Sequence, residues 1–397
     1  DTRFYNYNET TNLYNAVPTP TSTPFTTGAG YLIRMPNTAV IAPATQTFAG
    51  IFTGLANNGT ITRAMTYLDA THGYNMVGNP YPSPIDADDF ITANTSKIQS
   101  TLYFWRKKNG ASGSSYATYT LLGATTTTPS SSAPNGTIQV GQGFIVKAKS
   151  ASNLSFTNTM RVANNTNQFF RIKQMEKNRV WLNLTNTSGV FSQSLIGYLT
   201  DATQGIDDFD AKYINDSPIA LTSNINNEEY TIQGRALPFD PSDLVALNFK
   251  TDLAGDYTIA LDHFDGVFAN GQDVYLVDSK TGTETDLKAT AYTFTATSGV
   301  DNKRFSLKYQ KTLKVDAQAF NENSVRVYKN NGTLYVNSGA IAINNISVYD
   351  TQGRLIAEQK NVKATKVAIK DLKATYQVLI VKISGEDNSV VSKKVVY

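Results

Sequence analysis

The sequence predicts an all-β protein built of tandem antiparallel β-sandwiches and ending in a small immunoglobulin-like sandwich. Three observations carry this. Short apolar-alternating runs recur every 8–12 residues or so, the spacing expected of sandwiches and barrels. Turn dipeptides such as Asn-Gly and Asp-Asn punctuate them, and almost no stretch has helical period. Aromatics reach 11% and are mostly Tyr and Phe, while charged residues fall to 17%, a balance that suits half-buried pleated surfaces.

At 397 residues the chain has room for about two to four domains, each able to bury a core unaided. We expect three, over 1–165, 166–315 and 322–397. The first carries strands at Tyr31–Arg34, Tyr74–Val77, Leu102–Trp105 and Gly143–Lys147, with a Ser/Thr/Pro-rich loop over Thr125–Pro134. The second carries Val180–Leu184, Ser194–Leu199, Leu244–Phe249, Tyr257–Leu261, Asp273–Val277 and Arg304–Tyr309. Lys311–Asn323 is expected to be a pivoting linker.

In the third, Val325–Tyr328 and Thr333–Asn337 flank Lys329-Asn330-Asn331-Gly332, a hairpin whose Asn and Gly tolerate positive φ. Ile346–Tyr349 and Arg354–Ala357 flank a second tight turn, Asp350-Thr351-Gln352-Gly353. Val378–Ile383, nearly all apolar, is expected to be a strand covered on both faces. Ser384–Asn388 then turns the chain into a terminal strand over Val390–Tyr397.

Cysteine is absent, which excludes disulfide scaffolds, thiol nucleophiles, Cys-based zinc sites and iron–sulfur clusters. The charge is uneven. Residues 311–397 carry 13 Lys and Arg against 7 Asp and Glu, and residues 1–310 carry 22 against 25. The tail lysines are spread along strands and not massed in a run, which argues against nucleic-acid binding. No apolar stretch has the ~18 residues of a membrane-spanning helix. The chain opens at Asp1 without a basic–apolar leader, and we expect a mature protein or, preferably, a fragment of a longer one.

Candidate chemistry is sparse. His72 and His263 are the only histidines and sit in no metal or triad motif, so both are expected to be structural. Asp207, Asp208 and Asp210 are a weak calcium candidate, lacking the full Asp-x-Asp-x-Asp-Gly spacing, and no other cofactor is expected. Asp86, Asp88 and Asp89 are better read as capping a short helical turn through Phe90 and Ile91. Gly28-Ala29-Gly30 and Gly141-Gln142-Gly143 are too short for a phosphate cradle and read as turn or bulge glycines. Tyr103, Phe104, Trp105, Tyr116 and Tyr119 could line a sugar platform or face a core. No catalytic residues can be assigned, and the chain is not expected to be an enzyme.

Two stretches carry family resemblances. "ISVYDTQGRLIAEQK" followed by "QVLIVKISGEDNSVVSKKVVY" resembles the type A C-terminal sorting domain of type IX secretion cargo in Bacteroidota. The matching positions are Asp350, Gly353, Arg354 and Leu355, then Ile380, Val381, Lys382 and Ile383, then Lys393, Lys394, Val395, Val396 and Tyr397. Gln377 and Leu379 stand where the commoner pattern has Gly and Tyr. Upstream, "GYNMVGNPYPSPIDADDF" and "DATQGIDDFDAKY" resemble segments of large secreted Bacteroidota proteins.

The resemblance implies a secreted cell-surface protein, adhesin-like or gliding-associated, that reaches the outer face of the outer membrane after periplasmic transit. The implied partners are the type IX translocon, its outer-membrane barrel shuttle protein, a sortase-like attachment machinery and a surface polysaccharide. The alternatives are the tail of a secreted hydrolase, with its catalytic domain upstream of residue 1, and a carbohydrate-binding module.

Overall fold

A computed structural model describes residues 3–19, 22–34, 54–107, 114–129, 131–163, 176–215, 217–311, 320–373 and 377–397. The chain divides into two compact units, Asp1–Lys311 and Thr312–Tyr397. Most of the expected linker, residues 312–319, lies outside the described residues.

In the first half of the larger unit a five-stranded antiparallel sheet runs Tyr74–Gly78, Gly143–Ala148, Ile98–Lys107, Ser114–Tyr119 and Ala124–Thr125. One face packs on the helix Ala87–Asn94 and the paired strands Ile61–Met65 and Ser152–Phe156, around Phe90, Phe144 and Phe156. The helix starts where the Asp86 carboxylate accepts the Asp89 N–H at 3.0 Å, the capping expected of this acidic run.

The second half is an eleven-stranded sheet curled round a core that includes Leu182, Leu247, Tyr257, Phe268 and Phe305. Its strands contain or overlap the six expected ones, with one departure from an antiparallel fold. Phe191–Leu199 and Glu228–Ala236 run parallel, because the chain crosses over through residues 200–227 before returning beside its earlier strand.

The regions 1–165 and 166–315, expected as separate domains, fall in this one compact unit as far as Lys311. Leu122 of the first half packs into a cluster with Trp181, Leu195, Leu199 and Ile232 of the second. Trp181 Nε1 donates to the Ala124 carbonyl at 2.8 Å, Arg179 Nη1 to Leu122 O at 2.8 Å, and Tyr103 Oη to Lys212 O at 3.1 Å. Apolar burial combined with satisfied polar groups makes this seam resemble a core and not a hinge.

The smaller unit is a seven-stranded sandwich. Arg326–Asn330, Thr333–Asn337 and Lys366–Ile369 form one sheet; Leu355–Gln359, Ile343–Tyr349, Val378–Gly385 and Val390–Val396 form the other, in that spatial order. The Asn330↔Thr333 pair closes a two-residue hairpin in which Asn331 and Gly332 take φ of 46° and 77°, as its turn chemistry requires. Leu334, Val336, Ile346, Val348, Leu379, Val381 and Ile383 fill the space between the sheets.

Val378–Ile383 is not covered on both faces. Leu379, Val381 and Ile383 are buried, while Val378 and Lys382 are exposed and Ile380 is half-buried. The four-stranded sheet packs one face on its partner sheet, so alternate residues point away from the core.

Candidate functional site

The sorting-motif residues divide by the two-residue period of the strands. Val381 and Ile383 belong to the core. Along the terminal strand, Val391 and Tyr397 are buried and Lys393 and Val395 half-buried, whereas Val390, Ser392, Lys394 and Val396 are exposed. The two lysines of the basic pair therefore face opposite sides of the sheet. Lys393 donates to the Glu322 carbonyl. Lys394 faces outward, opposite Ile380.

Asp350 and Gly353 build the turn. Gly353 has φ of +79° and donates its N–H to Asp350 O at 3.1 Å, and Asp350 N–H donates to Arg354 O at 3.0 Å. The pairing then slips between Tyr349↔Leu355 and Val348↔Ala357, a bulge that follows from the left-handed glycine. Asp350 is buried, and the backbone N–H of Arg354, then its guanidinium, hold the carboxyl below the usual range.

Tyr349 is cross-strand partner to both Leu355 and Ile380, Ile380 to Lys394, and Val378 to Val396. These residues lie on the outer face at the end of the sheet that holds the Asp350 turn. The result is an apolar row, Leu355–Tyr349–Ile380 with Val378 and Val396 beside it, bordered by the cations Arg354, Lys382 and Lys394. Leu355 is 53% exposed and Val396 72%. The motif's separate stretches thus meet at one end of one sheet. Tyr349 and Val378 are missing from the motif read in the sequence, although strict alternation from buried Val348 and Leu379 would have placed both outward.

Tyr397 anchors the strand. Its N–H donates to Gln377 O at 2.9 Å and its hydroxyl to Gly332 O, while Lys329 Nζ lies 4.5 Å from the ring centroid. Gln377 thus serves the terminal strand through its backbone carbonyl. Leu379, at the other departure from the commoner pattern, is core.

The other candidates resolve differently. The Asp207, Asp208 and Asp210 carboxylates point to separate partners. Asp207 accepts from Thr203 and from the Phe209 N–H, Asp208 pairs with Lys149 Nζ at 2.8 Å, and Asp210 accepts the N–H of Asp207 and of Gly234. Among the described residues no group of three His, Cys, Asp or Glu could hold a metal ion, so the calcium candidate is not supported by the arrangement. Burial pushes the Asp210 carboxyl up to about 7.

The five aromatics split between faces. Phe104 and Tyr119 lie on the core side, whereas Tyr103, Trp105 and Tyr116 pack on the opposite face, with Trp105 and Tyr116 centroids 4.9 Å apart in an edge contact. Tyr103 is buried, whereas Trp105 and Tyr116 are half-buried. His72 pairs with Asp69, and His263 stacks on Trp181 at 3.9 Å, both structural arrangements.

No curated protein matches the chain. Among solved structures it is similar to Tp47, the 47-kilodalton lipoprotein of Treponema pallidum, at 8% identity and a TM-score of 0.17, over 85% of this chain and 100% of that one. It is also similar to the BSP domain of a biofilm associated protein, at 11% identity and a TM-score of 0.16, over 87% and 67%. Scores this low bear on neither fold nor function. Residues 313–397 match a family described as Domain of unknown function (DUF8694), and the boundary falls where the two compact units divide. Residues 1–309 match the family described as Domain of unknown function (DUF8693), and the chain belongs to that family.

Proposed function

We propose that the chain is a secreted, non-catalytic cell-surface protein, adhesin-like or gliding-associated, whose C-terminal unit is a type IX sorting domain. The observation that carries this reading is the convergence of Arg354, Leu355, Ile380, Lys394 and Val396 on one exposed end of one sheet, in a unit compact on its own. Residues distant in sequence then present a single rigid epitope of apolar surface with a cationic rim. An outer-membrane barrel shuttle could read side chains and strand geometry together. The larger unit, with its two halves locked at a packed seam, would serve as the displayed part.

The test is export of the full-length protein, with its native leader, from a type IX-competent Bacteroidota cell. Lys394→Glu with Val396→Asp alters only exposed side chains and should leave the protein folded but held in the periplasm. Normal surface display of this double variant would remove the basis of the proposal. Deleting Lys393–Tyr397 is a weaker test, because it also strips buried Tyr397 from the core.

A further inference from the structure

Five Asn-Gly steps stand in the chain, at Asn58, Asn109, Asn135, Asn270 and Asn331, of which Asn109-Gly110 lies outside the described residues. The step is reactive by its own chemistry. The glycine nitrogen, with no Cβ beside it, can reach the asparagine Cγ and close a five-membered ring. Closure needs two freedoms. The asparagine amide must turn, and the peptide that follows must rotate with its N–H released from any acceptor.

The fold distributes these freedoms unequally. Asn58 Oδ1 accepts from Arg161 Nη1 at 3.2 Å, the Gly59 N–H donates to Asn158 Oδ1 at 3.1 Å, and the Gly59 carbonyl accepts the Tyr81 hydroxyl at 2.7 Å. Asn135 Oδ1 accepts the Thr137 N–H at 3.1 Å, and the Gly136 carbonyl accepts the Ala87 N–H at 2.8 Å. Asn331 sits at φ of 46° in a hairpin whose Asn330↔Thr333 pair flanks it directly, and Gly332 O accepts the Tyr397 hydroxyl. Turning the peptide there disrupts the hairpin.

Asn270-Gly271 is not held in this way. It follows the turn Gly266–Phe268 and precedes the strand Tyr275–Asp278, and both residues are exposed. Among the described residues nothing hydrogen-bonds the Asn270 side chain, the Gly271 N–H or the Gly271 carbonyl. The Asn270 N–H donates to Val267 O at 3.1 Å, but that group precedes the bond that must turn. Gly271 has φ of +105°, and a Cβ there would meet no atom within 4 Å, so the peptide has room to rotate.

We propose that Asn270-Gly271 is a site of spontaneous covalent modification, the first of the described Asn-Gly steps to become aspartate and isoaspartate. The Gly271 nitrogen gives its proton to hydroxide and attacks Asn270 Cγ. The new C–N bond replaces the bond to the side-chain nitrogen, which takes a proton from water and leaves as ammonia. Water then opens the succinimide at either carbonyl. One opening restores the ordinary chain with an aspartate, and the other routes the chain through the side chain and adds a methylene to the backbone. Both place a new carboxylate on the surface. The isoaspartate also displaces Gln272, whose N–H reaches Val267 O at 3.1 Å and whose side chain reaches Tyr309 O at 2.7 Å.

The full chain, aged in mildly alkaline buffer, digested and followed peptide by peptide in the mass spectrometer, tests this. Asn270 should convert at least about 10-fold faster than Asn58 or Asn135, whose hydrogen bonds must open first, and ahead of Asn331. In denaturing urea the four rates should draw together. Asn270→Gln, which would have to close a larger ring, should keep the wild-type Tm and lose the isoaspartate from that peptide. Conversion of Asn58, Asn135 or Asn331 as fast as Asn270 in the folded chain overturns the proposal, as does a rate order that urea leaves unchanged.

Discussion

Asp350 and Arg354 close a turn on themselves. One carboxylate oxygen of Asp350 accepts the Arg354 N–H at 2.9 Å, the other accepts Arg354 Nε at 2.6 Å, and the Gln352 N–H is held at 2.9 Å by the first. The rest of the Arg354 side chain stays 74% exposed, so the pair fixes the hairpin while leaving a cation at the surface. With its pKa below the ordinary carboxylate value in the folded state, Asp350 adds stability that is present above the unfolded pKa and lost as pH falls through the folded one. Asp350→Asn should lower the Tm at neutral pH and flatten its acid dependence. An unchanged acid limb in thermal scans would assign the effect elsewhere.

Gly353 is open to test on backbone grounds alone. A Cβ there meets no atom within 4 Å, yet φ is +79°. Gly353→Ala should therefore cost about 1 kcal/mol purely from conformation, and Gly353→Asn less. Equal urea midpoints for the wild type and the Ala variant would contradict the left-handed assignment.

Arg304 and Asp278 form a buried ion pair in the larger unit, at 2.8 Å, with Tyr292 completing the carboxylate's partners. Removing either charge alone, as in Arg304→Met or Asp278→Asn, should destabilise by about 3–5 kcal/mol, because a buried charge or donor is stranded. Replacing both with apolar residues should recover much of the loss. A double variant as damaged as the sum of the singles would show the two residues to be uncoupled.

Asp210 should give the larger unit an unusual pH response. Its folded pKa is raised to about 7, so the stability it contributes is complete below the unfolded carboxylate pKa and is lost as pH rises through about 7. Asp210→Asn should remove that decline between roughly pH 4 and 7. Denaturant titrations across the window would detect it, and a parallel pH profile for both proteins would sink it.

Calcium should leave the melting temperature unmoved. The Asp207, Asp208 and Asp210 oxygens are already held by N–H groups, by Thr203 and by Lys149. A Tm several degrees higher with calcium than with chelator would require those bonds to rearrange round an ion.

Period-two alternation and turn chemistry by themselves determined the all-β class, the strands flanking Asn331-Gly332 and Asp350–Gly353, and the capping of a short helical turn by the acidic run Asp86–Asp89. Each of these depends on neighbours a few residues apart, and local φ preferences and alternation are written in consecutive residues. What the tertiary structure alone decided depends on residues far apart. It joined 1–165 and 166–311 in one unit through Leu122 and Trp181, laid Phe191–Leu199 parallel to Glu228–Ala236, and left Val378–Gly385 covered on one face. It also divided Lys393 from Lys394 and added Tyr349 and Val378 to the candidate epitope. An apolar run reads the same whether a second layer covers one of its faces or both, and a lysine's partner is set by which strands the fold brings beside it.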